Sequence, residues 1–260
     1  MLQPPLGEVW AMVAGVQAER AAGAPARIDA LDVARGVALL AMAVFHLAFD
    51  LQMFGLIAPG TLSRGLWPEF ARLVAASFLF LAGVSLWLAH GSGIRWRAYL
   101  RRFAILVSAA ALVSGATYVA FPQAFIYFGI LHSIAAASLI GLALLRAPVW
   151  ALLALAALVV AAPDYLRSEA LNHPALWWTG LATAPRASVD FEPVLPWAAP
   201  FLCGLAVAKI ADAQGLWARL AARPFGPAAL VWAGRHSLAV YLLHQPFLIA
   251  CVWVAAQVFG

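Results

Sequence analysis

A histidine and an aspartate, His46 and Asp50, stand four residues apart near the end of an apolar run that begins at Leu31. An imidazole titrates close to neutrality, so it can take a proton, return it or carry a group. A neighbouring carboxylate can fix its tautomer and stabilise its charged form. In hydrocarbon each group is costly unless it is partnered or faces a polar cavity. The i,i+4 spacing puts the two on one helix face, within hydrogen-bonding reach. Asp32 and Arg35 fall on that same face, the four positions spanning roughly 80° of arc and about 27 Å of axis. Such a stripe suits a functional cavity. The competing reading is a structural polar pair that ties the helix to a neighbour, and the cost of burial favours function.

Two further histidines lie in apolar segments. His132 sits in Tyr127-Phe-Gly-Ile-Leu-His132-Ser, followed by small residues that admit a close neighbour. Alone it reads as a satisfied core histidine; with His46 at similar depth, a shared cavity is the other reading. His244 precedes Pro246, whose ring removes a backbone donor and frees a carbonyl near Leu242. That kink either packs or lines a cavity with Ser237 and Tyr241, which share its face. No paired-histidine ladder or metal-ligand spacing appears, so no metal or haem is expected. Cys203 and Cys251 read as small core residues. Phosphate-binding loops, dinucleotide fingerprints and nucleophile elbows are also missing.

The frame for these groups is a membrane. Of 260 residues, 65% are hydrophobic and 10% charged, far from a soluble composition. Apolar runs approach or exceed the roughly 20 residues needed to span a bilayer. The fold class expected is all-α, a polytopic transmembrane bundle of about seven spans: roughly 33–55, 70–90, 101–120, 124–145, 147–163, 194–212 and 236–258. Residues 1–27 read as a flexible cytoplasmic tail without a cleaved signal, and 28–260 as a single transmembrane domain. The basic residues sort to one side: Arg20, Arg27 and Arg35; Arg95, Arg97, Arg101 and Arg102; Arg146; Lys209, Arg219, Arg223 and Arg235. The positive-inside rule makes that side cytoplasmic, with the N-terminus inside and the C-terminus outside. The net charge of +5 reports topology and does not indicate nucleic acid. The longest outer connection, about 163–193, carries tryptophans, carboxylates and a histidine. It fits a carbohydrate-facing surface and an interfacial aromatic belt equally well.

The arginines allow a second reading. Forked guanidinium groups and helix N-termini suit phosphates. A phosphate-rich cytosolic donor such as coenzyme A would find partners at Arg35, Arg95, Arg97, Arg101, Arg102 and Arg235. Topology and lipid headgroups explain most of the same residues.

Four segments carry a family resemblance. Arg27-Ile-Asp-Ala-Leu-Asp32-Val-Ala-Arg35-Gly36, with Met42 and Phe45-His46-Leu-Ala-Phe-Asp50, resembles the opening of the bacterial heparan-α-glucosaminide N-acetyltransferase-like membrane proteins. Phe128-Gly-Ile-Leu-His132-Ser-Ile-Ala is similar to their central motif, and Pro196-Trp197 with Phe201 and Gly204 to a late span. Ser237-Leu-Ala-Val-Tyr241-Leu-Leu-His244-Gln-Pro246 is similar to the last helix of broader membrane acyltransferases. The resemblance covers about residues 27 to 258. It implies transfer of an acetyl group from acetyl-CoA, the acyl donor, across the membrane to an amine or hydroxyl of a sugar on the far side. The family's functional histidine maps onto His46. Lysosomal members are longer, and the His-x-x-x-Asp form here differs from their spacing.

Taken together, these features give an expected acyltransferase of the cytoplasmic (inner) membrane. His46 would be a general base or a transient acyl carrier, oriented by Asp50, with His132 assisting. Asp32, Tyr127, Trp197, Tyr241 and His244 would bind the acceptor. The expected partners are the lipid bilayer, acyl-CoA and a sugar or glycan acceptor. Dimers are common among such proteins, so a homodimer is open to the chain, although no segment specifies an interface. The alternative of another class is a small proton-coupled transporter with a His46/Asp50 relay. The lack of an inverted repeat counts against it. A structural membrane subunit would leave the ionised stripe unexplained.

Overall fold

The computed structural model describes residues 27–259. The expected N-terminal tail lies outside the described residues, except for Arg27. Nine helices follow among the described residues: α1 Asp29–Met53, α2 Trp67–His90, α3 Trp96–Ala120, α4 Ile130–Ala143, α5 Val149–Leu166, α6 Val194–Ala213, α7 Leu216–Ala221, α8 Ala228–Arg235 and α9 Ser237–Phe259. Six of them (α1, α2, α3, α5, α6 and α9) are long and apolar enough to cross a membrane, and α4 is a shorter apolar helix. Helices suit this setting because each satisfies its own backbone hydrogen bonds.

The core forms around α2 and α6, which cross closely. A side chain on Gly83 of α2 would strike the Phe201 carbonyl, and one on Gly204 of α6 would strike the Phe80 carbonyl. Small residues on both faces let the backbones approach, the usual basis of helix pairing in lipid. Leu79, Phe201, Leu202 and Leu205 fill the crossing and are almost wholly buried. On its outer side α6 carries α5, and α4 packs on α2, α3 and α6. At one end Lys209 of α6 donates to the carbonyls of Leu145 (3.1 Å) and Ala147 (2.6 Å) in the α4–α5 turn. The close Arg146 turn therefore does separate two helices.

α1 packs on α8, α9 and α2. Gly234 of α8 rests against the backbone carbonyl of Asp32, so the adjacent Arg235 reaches the first turn of α1.

α4 departs most from the expected span. It begins at Ile130 rather than near residue 124. At 14 residues it rises only about 21 Å. The chain before it runs extended and pairs with the segment before α6: Val189 N donates to Ala124 O (2.9 Å) and Glu192 N to Phe128 O (3.0 Å). An apolar run does not reveal whether its backbone groups bond within a helix or to a distant loop. Non-helical chain at such a level is tolerated where protein surrounds it.

The 163–193 connection is folded upon itself. The Asn172 side chain accepts from Thr183 N (2.8 Å) and Ala184 N (3.0 Å), and Trp177 Nε1 donates to Asn172 O (2.9 Å). Trp177 packs on Tyr127 with ring centroids 5.3 Å apart. The aromatic residues thus hold the loop onto the 125–128 segment.

Candidate active site

Charge collects at the basic end of the bundle. Asp32, 1% exposed, is a hub for three guanidinium groups. Arg35 Nη1 donates to its Oδ1 at 2.7 Å, Arg27 Nε to its Oδ2 at 3.1 Å, and Arg235 Nε stands 3.4 Å from the same Oδ2. Arg235 Nη2 also donates to Asp29 Oδ1 (2.8 Å), and Arg35 Nη2 to Ser85 Oγ on α2 (2.7 Å). Charge-assisted bonds of this kind fix the forks in place. Asp32 thus organises cations at the mouth of a cavity and does not stand at the end where an acceptor was expected.

That cavity measures 460 Å³. Arg27, Arg35, Arg102 and Arg235 ring its mouth, with His90 and His236 beside them. Apolar residues such as Leu81, Leu86, Leu106 and Ile134 line its length, and Ile130, Leu131 and Tyr241 close its inner end. Arg102 makes no ion pair among the described residues. Consecutive residues on a helix point about 100° apart, so Arg102 faces the cavity and Arg101 does not. Arg95, Arg97 and Arg101 border a separate open depression with Trp96. Of the six arginines expected around a donor, the structure brings three together: Arg35, Arg102 and Arg235.

Beyond the inner end lies the second cluster. The ring of Tyr241 is 5.7 Å from that of His244, which is 5.0 Å from that of His46. His46 and His244 are therefore neighbours, from α1 and α9. The expected hydrogen bond from His46 to Asp50 is replaced by another contact: Asp50, fully buried, accepts from Gln245 Nε2 at 2.7 Å. Asp50 thus joins α9 to α1 rather than orienting the imidazole. Four buried polar atoms here meet no hydrogen-bond partner: His46 Nδ1, Asp50 Oδ2, His244 Nε2 and Gln245 Oε1. Gln245 went unnoticed in the sequence, although an amide in an apolar helix beside His244 needs a partner and so signals one.

His132 stands apart from this pair. Its Nδ1 accepts from Gly129 N (3.2 Å) and its Nε2 is 3.3 Å from Ser114 Oγ, which itself donates to Ile126 O (2.6 Å). That arrangement fixes the Nε2–H tautomer and uses the ring to cap α4. Trp197 packs against the apolar core. Tyr127 donates to Arg186 O (3.1 Å), and burial pushes its phenol up to about 12.

Sequence reasoning also missed two carboxyl groups. Asp190 Oδ2 accepts from Ile130 N (3.1 Å) at the start of α4, and Glu192 follows two residues later. Burial lifts Asp190 to about 6; burial, with the Asp190 charge added, lifts Glu192 to about 9. Tyr241 lies within electrostatic reach of both.

A polytopic bundle whose cavity leads from a ring of arginines to a tyrosine beside two half-buried histidines has the construction of a multi-pass membrane enzyme. Residues 27–246 match the family described as heparan-alpha-glucosaminide N-acetyltransferase, catalytic, and the chain belongs to that family. In general terms it is a membrane acetyltransferase embedded in a lipid bilayer. No curated protein and no solved structure matches the chain.

Proposed function

We propose that the protein transfers an acetyl group from cytosolic acetyl-CoA to an amino or hydroxyl group of a sugar or glycan on the periplasmic side of the cytoplasmic membrane. The observation that carries this reading is the cavity, which opens among Arg35, Arg102 and Arg235 and ends at Tyr241, one ring away from His244 and two from His46. The donor's phosphates suit the guanidinium mouth. Its apolar arm suits the Leu81, Leu86 and Leu106 walls. The thioester then lies toward Tyr241 and the histidines.

In this reading the acceptor's nitrogen or oxygen attacks the thioester carbonyl. The new C–N or C–O bond forms as C–S breaks, the electron pair leaves on sulfur, and the acceptor's proton passes to His46. Transfer through an acylated His46 uses the same atoms in two steps. His244 is the residue that faces His46 during either route, and Asp50 with Gln245 keeps their two helices together.

The test is turnover of radiolabelled acetyl-CoA by purified protein, with and without glucosamine, beside His46→Ala. Label on the sugar, or label trapped on protein only when His46 is present, is the expected result. Wild-type turnover by the folded variant would remove His46 from the reaction. A wild-type protein that neither binds the donor nor cleaves its thioester would overturn the reading.

A further inference from the structure

The mechanism above leaves Asp190 and Glu192 unused, although both carboxyls stand within reach of residues that line the donor cavity: Asp190 of Ile130, and both of Tyr241. Asp190 is bonded to the backbone of Ile130, which itself lines that cavity. A side chain on Gly129 would strike the Asp190 carboxylate, so glycine there permits the approach. Glu192 Oε2 is sealed from solvent and accepts no hydrogen bond. Neither carboxyl forms an ion pair among the described residues. The nearby Arg186 is turned away: it donates to Pro122 O (2.8 Å) and lies over the Phe125 ring. Tyr241, which faces both carboxyls from α9, also lines the cavity, and its hydroxyl makes no hydrogen bond among the described residues. His132 on α4 and, in the flanking loops, Tyr127 and Arg186 are further titratable groups on the segments that adjoin the pair. A half-buried acidic pair without a cation, with one oxygen sealed and unbonded, calls for a cation or for a proton.

We propose that Asp190 and Glu192, with the Tyr241 hydroxyl, hold the acceptor's amine and take its first proton. This rests on the acetyl-CoA reading above. An amine reaches the site as an ammonium, which has no lone pair to attack with. One N–H proton passes to Asp190 and frees that pair. The nitrogen attacks the acyl carbon, N–C forms, and C–S breaks with its electrons on sulfur. The second N–H proton ends on the thiolate by way of His46. A hydroxyl acceptor loses only one proton, so the carboxyl pair has a purpose with amines that it lacks with alcohols. Its titration suits this role: near neutrality Glu192 keeps its proton while Asp190 is largely ionised, giving the pair one negative charge to meet an ammonium.

The experiment uses the full chain in detergent with acetyl-CoA and glucosamine, comparing Asp190→Asn and Glu192→Gln with wild type. Asparagine can still accept from Ile130 N, so Asp190→Asn is a mild change. Expected are unaltered acetyl-CoA binding, an acceptor KM raised about tenfold or more, and a kcat lowered by a similar factor. In Asp190→Asn, activity should also climb with pH toward the ammonium's own pKa, where solvent removes the proton. A merely structural role would produce no such climb. Retained donor binding certifies the fold of each variant. If Asp190→Asn loses it, Glu192→Gln, which leaves the Ile130 bond intact, decides. Wild-type acceptor KM and pH profile in the variants would overturn the pair's role while leaving the donor reading standing. Failure of the wild type to bind acetyl-CoA would overturn both.

Discussion

Arg101 and Arg102 are chemically identical neighbours with opposite surroundings, one outside the cavity and one at its mouth. Arg102→Gln should weaken acetyl-CoA binding about tenfold or more, in keeping with about 1.5–3 kcal/mol for a charged hydrogen bond. It should not lower the melting temperature, because no carboxylate is left unpaired. Arg101→Gln should change neither quantity, and calorimetric titration with a thermal melt reads both. Asp50 offers a second contrast. Gln245→Leu leaves a buried carboxyl without its donor and should cost about 1–3 kcal/mol. Replacing both residues by leucine should recover most of that loss in the same melt, since neither polar group is then stranded. The sequence made His46 and Asp50 legible because helical spacing alone puts them on one face. It concealed Gln245, 195 positions away, because contact between α1 and α9 arises only from packing.

At the scale of elements, hydropathy located the long helices within a few residues, since a spanning run must be apolar and continuous. It overextended α4, because residues 124–129 are apolar yet bond to 189–192. The glycines of the α2–α6 crossing look in the sequence like any other glycines in a membrane helix. Gly204→Leu should therefore be severe, forcing a side chain into the Phe80 carbonyl at a cost of about 1–3 kcal/mol or more. Gly115→Leu on α3, where nothing stands within 4 Å, should be tolerated. Detergent melts and the yield of monodisperse protein distinguish the two. The Asp190/Glu192 pair was hidden for the reason α4 was misjudged: the loop that carries it is brought to the start of α4 by pairing with the 124–129 segment.

At the scale of the whole molecule, the two carboxyls add a contribution of known sign to its response to pH. Each is raised by folding, Asp190 from 3.8 to about 6 and Glu192 from 4.5 to about 9. A carboxyl raised in the folded state favours folding while it is neutral. Its contribution is complete below its unfolded pKa and is lost as pH climbs through the folded one. The pair's share of the melting temperature in detergent, read as wild type minus the Asp190→Asn and Glu192→Gln variants, should thus decline between about pH 4 and pH 9. Glu192→Gln should flatten the alkaline part and Asp190→Asn the acidic part. A difference between wild type and these variants that does not change with pH across that range would contradict the desolvation of the pair.

The cavity also divides the bundle. Arg35, Arg235 and Tyr241 on one wall belong to α1, α8 and α9, whereas Leu81, Arg102 and Ile130 on the other belong to α2, α3 and α4. The Arg35–Ser85 hydrogen bond spans the two walls near the mouth, where Arg35 and Arg102 confront each other with like charge. A polyanion seated between them turns that repulsion into attraction and rivets the walls together. Amide hydrogens in α3 and α9 should accordingly exchange more slowly when acetyl-CoA is present, and return to their former rates when it is washed out. Occupancy and stiffness then become one variable. In the proposed cycle the bundle would be stiffer with its donor bound, and losing the spent thiol would relax the same wall that the next donor has to pass.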